Sequence, residues 1–268
     1  MRVGFIGLGS QGAPMARRII DAGFPTTLWA RRPETLEPFA DTPAQAAESP
    51  ADLAAASDLV CVCVVNDADV EEIGGRVLAG LAHGGIIAVH STVHPQTCRE
   101  LAKRAALQGV SVIDAPVSGG GPAAAKGRLL VMAGGDADVV QRCRPVFESY
   151  ANAVVHLGEL GSGQTAKLLN NLLFTANLGT AATALSLARA LGVAPGRLTE
   201  VFARSSGNSF ALNTIGGTDN LDRMAGLAGG LLQKDVRLIA DLADEAAARA
   251  GVVLDAADAA LALMEYPR

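Results

Sequence analysis

Lys167 and Asn171 stand four residues apart in a stretch, Gly161 to Gly192, that otherwise carries a single charge, Arg189. Four residues is about one helical turn, so both side chains fall on one face, with Asn170 beside them. An apolar setting lowers a lysine pKa toward neutrality, the range in which an amine both gives and takes a proton. Asn171 is spaced to hydrogen-bond the same oxygen or to orient the amine. Two plainer readings compete. Lys167 can snorkel to water from a structural helix. Leu168 to Ala188 is uncharged and long enough to span a bilayer, but Asn170, Asn171 and Asn177 would be costly in lipid, so the membrane reading is rejected.

Two further groups of residues suit anions. Gly7-Leu8-Gly9-Ser10-Gln11-Gly12 follows the run Arg2-Val3-Gly4-Phe5-Ile6 and opens a helical pattern that ends at Gly23. This is the strand, turn and helix context that a G-x-G-x-x-G motif requires. Gly7 permits the tight turn, Gly9 lets backbone approach a pyrophosphate and Gly12 allows close packing, with the phosphates at the helix N-terminus. A plain turn between strand and helix is the alternative. The end of the next strand, where an acidic residue binds the ribose of NAD, reads Ala30-Arg31-Arg32-Pro33. Guanidinium groups there suit a 2′-phosphate, so NADP is expected to be preferred, with NAD possible. The alternative is two arginines solvating a loop. Ser118-Gly119-Gly120 forms a small-residue turn into a helix, offering N–H groups and a hydroxyl to a carboxylate. A glycine-rich surface loop is the competing reading.

The elements that hold these residues follow from the hydrophobic pattern. Strands and helices alternate from Met1 to His156, which predicts a doubly wound parallel α/β sheet. Val65-Asn66 and His90-Ser91-Thr92 then lie at the carboxyl edge, where such folds bind ligands. Ser91 and Thr92 are also placed to cap the helix beginning near Pro95. Residues 162–191 should form one helix of about 45 Å, with Ser162 capping its start and Gly192 ending it. Its apolar residues run nearly all round, so it should be buried between domains or subunits. The rest is helical by pattern, including Leu231 to Ala247, where Lys234-Asp235 reads as an ordinary solvated pair. Residues 1–160 and 161–268 are the expected domains.

The 268 residues are 50% hydrophobic with a net charge of −5. That supplies core for two domains and no basic footprint, which argues against nucleic acid or anionic membrane as a partner. The four cysteines show no zinc spacing, no metal site is expected, and a reduced cytoplasmic protein without a signal peptide is the simplest account.

Four separated stretches agree with one family: G-F-I-G-L-G-S-Q-G-A-P-M-A, H-S-T-V-H-P, D-A-P-V-S-G-G-G-P-A-A-A-K-G, and G-S-G-Q-T-A-K-L-L-N-N followed by Q-K-D-V-R-L. Together they resemble the β-hydroxyacid dehydrogenases, a family that includes 3-hydroxyisobutyrate dehydrogenase and the tartronate and glyoxylate/succinic semialdehyde reductases. The resemblance covers essentially the whole chain in order. It implies an N-terminal Rossmann domain, a long interdomain helix, an all-α C-terminal domain and a homodimer or homotetramer. It also implies that Gly7 to Gly12 hold the pyrophosphate and that Thr92 lies near the nicotinamide and substrate; Val65 and Asn66, from their place at the sheet edge, are expected to bind cofactor. Ser118, Gly119 and Gly120 would bind the substrate carboxylate, Lys167 would be catalytic with Asn171 assisting, and Lys234 would close the site from the helical domain. Hydride transfer belongs to the cofactor, so the protein must hold the carboxylate and move one proton, a task that suits Lys167. The chain departs from the family pattern at Val89, Ala30, Arg32, Thr183 and Leu227, which leaves the substrate open. An imine reductase, which generally lacks a lysine at this position, and a non-catalytic dinucleotide-binding protein are the alternatives. Both explain less of the Lys167, Asn171 and Ser118 set.

Overall fold

The computed structural model describes residues 1–268. Its first part winds β1 (Val3–Ile6), α1 (Gly12–Asp21), β2 (Thr26–Trp29), a 3-10 turn over Pro33–Phe39, β3 (Gln45–Ala46), α2 (Pro50–Ala55), β4 (Leu59–Val62), α3 (Asp67–Leu78), β5 (Ile86–Val89), α4 (Pro95–Ala106) and β6 (Ser111–Asp114) into one parallel sheet. The strand order is β3-β2-β1-β4-β5-β6. Runs such as Leu59-Val60-Cys61-Val62 and Ile86-Ile87-Ala88-Val89 are buried throughout, as strands covered on both faces must be. Alternate residues serve two cores. Phe5, Cys61 and Ala88 face one containing Met15 and Ile19 of α1, while Ile6, Val62 and Val89 face another containing Ile73 and Val77 of α3. The order reverses between β1 and β4, and that switch point opens a crevice at the carboxyl ends of the strands.

The chain continues through β7 (Val117–Ser118), α5 (Gly120–Ala125), β8 (Leu129–Ala133), α6 (Ala137–Phe147) and β9 (Ala151–His156). These strands form a separate small sheet, in which β7 runs antiparallel to β8. With two residues, β7 is too short to show any alternation in sequence. A single bridge between Asp114 and Gly134 ties the two sheets together.

Helices follow: α7 (Ser162–Ala190), α8 (Pro195–Phe202), α9 (Phe210–Ile215), α10 (Asp222–Glu245) and α11 (Gly251–Leu263). Two compact units, Met1–Lys167 and Leu168–Arg268, divide within α7. As the sequence predicts, α7 ends before Gly192, whose φ is +80°, with the Val193 N–H returning to the Ala188 carbonyl. In the second unit Leu168, Leu172 and Leu178 pack with Val236, Ile239 and Leu261. The opposite face of α7 is open in the single chain, with Leu169, Leu173 and Leu187 each about half exposed. α10 starts nine residues before the expected Leu231. Gly226, Gly229 and Gly230 hide that start from propensity, and Gly229 is small because Tyr266 packs against it.

Candidate functional site

The glycine-rich turn is compressed at two positions and open at the third. A Cβ on Gly7 would lie 2.0 Å from the Cys63 carbonyl oxygen, and one on Gly12 would lie 1.9 Å from that of Gly7. Gly9 meets nothing within 4 Å. No side chain caps α1. Tight packing at the outer glycines, an open middle and a helix start without a side-chain cap fit a pyrophosphate, with Leu8, Ser10 and Gln11 supplying the rest of the turn. A Cβ on Gly121 would lie 2.4 Å from the Ser10 carbonyl oxygen, so the start of α5 abuts this turn. Ser118, Gly119 and Gly120 are thereby brought beside it, both glycines at positive φ. Arg31 lies beyond β2, 62% exposed, bonded to Asp69 at 3.1 Å and Glu72 at 3.2 Å. Arg32 is more exposed still and lies 3.8 Å from Glu34. Ion pairs made by guanidinium groups this exposed contribute little to stability.

A buried polar network joins the loops at the carboxyl edge. Asp114, the last residue of β6, has no exposed surface. It accepts hydrogen bonds from the backbone N–H of Gly161 through Oδ1 and of Gln164 through Oδ2, both at 2.7 Å. Burial pushes its carboxyl above the ordinary range, against the pull of those N–H groups and that of Gly163. Asp114 is thus the cap of α7, in place of the expected Ser162. Ser162 is the first helical residue, so its hydroxyl cannot reach the orphan amides, and it finds no partner. The Gln164 side chain donates to the Ser91 carbonyl at 2.8 Å and accepts from the Val93 N–H at 3.1 Å. Ser91 Oγ accepts from the Val64 N–H at 2.8 Å, which ties this loop to the one holding Val65 and Asn66. Asn66 caps α3 by accepting from the Asp69 N–H, and Asp67 Oδ1 accepts from the His94 N–H and from Thr97 Oγ1. Neither Ser91 nor Thr92 caps α4. His94 does, through Nδ1, because Pro95 at the first helical position makes residue 94 the cap.

His90 is buried, not turned to the crevice. Its Nδ1 lies 2.6 Å from the Ala115 carbonyl and its Nε2 lies 3.3 Å from Tyr150 Oη. A carbonyl only accepts, so Nδ1 carries the proton and Nε2 accepts from the tyrosine. Phe5 stacks on the ring and Phe147 meets it edge-on. Burial lowers the His90 pKa to about 4, opposed by the bond to Ala115. Ala115 leads directly through Pro116 and Val117 into Ser118, so this bond steadies the approach to the Ser118 loop from the core.

In the helical unit Asn171 is held at both ends of its amide. Its Oδ1 accepts from Asn170 at 3.0 Å and its Nδ2 donates to Asp235 at 2.6 Å. Asp235 is 4% exposed and also binds Lys234 Nζ at 2.7 Å, so the Lys234-Asp235 pair is not the solvated one its charge suggests. Asp235 sits in the stripe of Leu232, Val236 and Ile239 and is buried with them. Sequence reasoning missed Asp114, Gln164 and Asp235 as site residues. The available signal was a polar group at a position that the hydrophobic period assigns to the core.

A dinucleotide-binding α/β unit followed by a helical unit is the architecture of a nicotinamide-dependent oxidoreductase. Residues 2–158 match the NAD binding domain of 6-phosphogluconate dehydrogenase, and residues 161–265 match the NAD-binding domain of NADP-dependent 3-hydroxyisobutyrate dehydrogenase. The chain is 39% identical to an uncharacterized oxidoreductase of Mycobacterium tuberculosis over 88% of this chain and 84% of the relative. It is 33% identical to the 3-hydroxyisobutyrate dehydrogenase of Pseudomonas aeruginosa over 95% and 88%. Among solved structures, 3-hydroxyisobutyrate dehydrogenase of M. tuberculosis with L-serine matches with a TM-score of 0.86 at 29% identity, over 96% of this chain and 92% of that one. The chain belongs to the β-hydroxyacid dehydrogenase family of oxidoreductases.

Proposed function

We propose that this protein interconverts a small β-hydroxyacid with its semialdehyde or keto acid, using NADP in preference to NAD, with Lys167 as the general acid and base. The observation that carries the proposal is the capping of α7 by Asp114, which fastens the first turn of that helix, and Lys167 one turn later, to the carboxyl end of β6. Val65, Asn66 and Thr92 leave the same edge of the sheet. When bound, the nicotinamide supplies or accepts the hydride. Gly7 to Gly12 hold its pyrophosphate, and Arg31 and Arg32 the 2′-phosphate. Ser118, Gly119 and Gly120 hold the substrate carboxylate. Lys167 as ammonium protonates the developing alkoxide during reduction, and as amine takes the hydroxyl proton during oxidation. Asn171, on the same helix, orients that group, and Asp235 fixes Asn171 in turn. The relative solved with L-serine, itself a β-hydroxyacid, supports this substrate class.

The same reading makes the protein a cytoplasmic homodimer or homotetramer. Four free thiols and the half-exposed leucines of α7 support it. No helix is long and apolar enough to cross a membrane. Steady-state assay with β-hydroxyacids, semialdehydes and cyclic imines tests the chemistry. Turnover of an acid or semialdehyde is expected, with kcat falling at least about a hundredfold in Lys167→Ala while NADPH affinity stays within about threefold. Turnover of imines alone, or a Lys167→Ala variant within about tenfold of the parent, refutes it.

A further inference from the structure

Gln164, the third residue of α7, has no exposed surface, yet its side chain is a primary amide whose burial costs free energy unless every group is matched. It is matched to backbone on either side of one residue. Nε2 donates to the Ser91 carbonyl and Oε1 accepts from the Val93 N–H, across 73 and 71 positions of sequence. This is the pattern that a neighbouring strand would present, and it pins the peptide groups that flank Thr92. Thr92 is β-branched, so once its backbone is fixed its side chain has little remaining freedom. Gln164 also precedes Lys167 by three residues and so shares its helix face. Its own backbone N–H is spent on Asp114. If the position needed only filling, leucine or methionine would serve without the cost of desolvating an amide.

We propose that Gln164 is the positioning residue of the site, clasping the Ser91–Val93 backbone so that Thr92 and Lys167 are held in one fixed relation for proton transfer. The proposal rests on the reading of Lys167 as the proton-transfer group and of Thr92 as its neighbour at the reacting carbon. The titratable and charged groups around the clasp are Asp114 on β6, Cys98 and Arg99 on α4, and Asp67 at the start of α3.

Two variants of the full-length protein test it. Gln164→Met keeps the volume and removes both bonds. Gln164→Glu keeps both only while protonated, when its hydroxyl donates to Ser91 and its carbonyl accepts from Val93; ionised, it turns an anion toward the Ser91 carbonyl. The expected result for Gln164→Met is a kcat at least about thirtyfold below the parent at every pH, with NADPH affinity within about threefold of the parent's and a thermal midpoint lower by only a few degrees, as the loss of two buried backbone partners requires. Gln164→Glu should approach the parent's kcat at about pH 5.5 and lose at least about tenfold more than the parent by about pH 8. Hydrogen exchange, read without substrate or cofactor, should be at least about tenfold faster in Gln164→Met for the peptide spanning residues 91–94, and unchanged for β1 and β4. A Gln164→Met kcat within about threefold of the parent, an unchanged exchange rate at residues 91–94, or a fall in kcat matched by equal losses of NADPH affinity and thermal midpoint overturns the proposal. If the parent turns over no acid or semialdehyde, the functional reading fails by itself, and the exchange result still decides whether Gln164 holds the loop.

Discussion

His90 should make the dinucleotide-binding unit acid-sensitive in a window that can be calculated. Its pKa falls from 6.5 in the unfolded chain to about 4 in the fold because burial excludes the charged ring. Between those values the unfolded chain binds a proton and the folded chain does not, so stability is fully present above pH 6.5 and is lost as pH falls toward 4. At about 1.36 kcal/mol per unit the full loss is about 3 kcal/mol, of which about 2 kcal/mol falls between pH 7 and pH 5. His90→Asn removes the titration while its amide can still donate to the Ala115 carbonyl. The assay is urea denaturation of both proteins at pH 7 and pH 5, followed through Trp29, the single tryptophan, which is 9% exposed in the core of this unit. Groups common to both proteins cancel in the difference. The variant should be less stable at pH 7, because the smaller side chain leaves a cavity, but should lose about 2 kcal/mol less than the parent on acidification. Equal losses in the two proteins would refute the argument, as would a proton-resonance titration of His90 with a midpoint near 6.5.

Two other outcomes follow from the glycine turn and from the arginines. Gly9→Ala should leave the thermal midpoint within about 2 °C of the parent, because the added methyl meets no protein atom within 4 Å, and should weaken NADPH binding at least about tenfold if the proposed pyrophosphate fills that space. Gly12→Ala, whose methyl would collide with the Gly7 carbonyl, should damage folding and binding together; calorimetry and fluorescence titration on both variants decide this. Replacing Arg31 and Arg32 together by alanine should weaken NADPH at least about tenfold and NADH by less than about threefold, measured as dissociation constants. Equal losses for both cofactors would remove the 2′-phosphate argument.

Much of this architecture was legible because its signals are local. The G-x-G-x-x-G turn, the buried runs of β4 and β5, and the helix end at Gly192 each depend on residues within a few positions of one another. What stayed hidden depends on pairings between distant residues. Ser162 has the right chemistry for a cap, but Asp114 fills that role from 47 residues before Gly161. Ser91 has the right chemistry to cap α4, but its hydroxyl is taken by Val64. Lys234 and Asp235 look solvated because charge usually is, and only the burial of the Leu232, Val236 and Ile239 stripe reveals otherwise. The small mixed sheet escaped for a different reason, since a strand as short as β7 carries no periodicity. The reading of Lys167 and Asn171 as one face of one helix needed only the helical period.

The Asp114 cap also bears on the order in which the chain acquires its structure. The carboxylate at the end of β6 lies buried with its donors drawn from Gly161 and Gln164, which leave the ribosome 47 and 50 residues later. A nascent chain that has made all six strands of the parallel sheet therefore still holds this carboxylate without its protein donors, and water must serve it until the first turn of α7 has been made. The Asp114 hydrogen bonds at that edge are complete only when the start of the lysine-bearing helix is present.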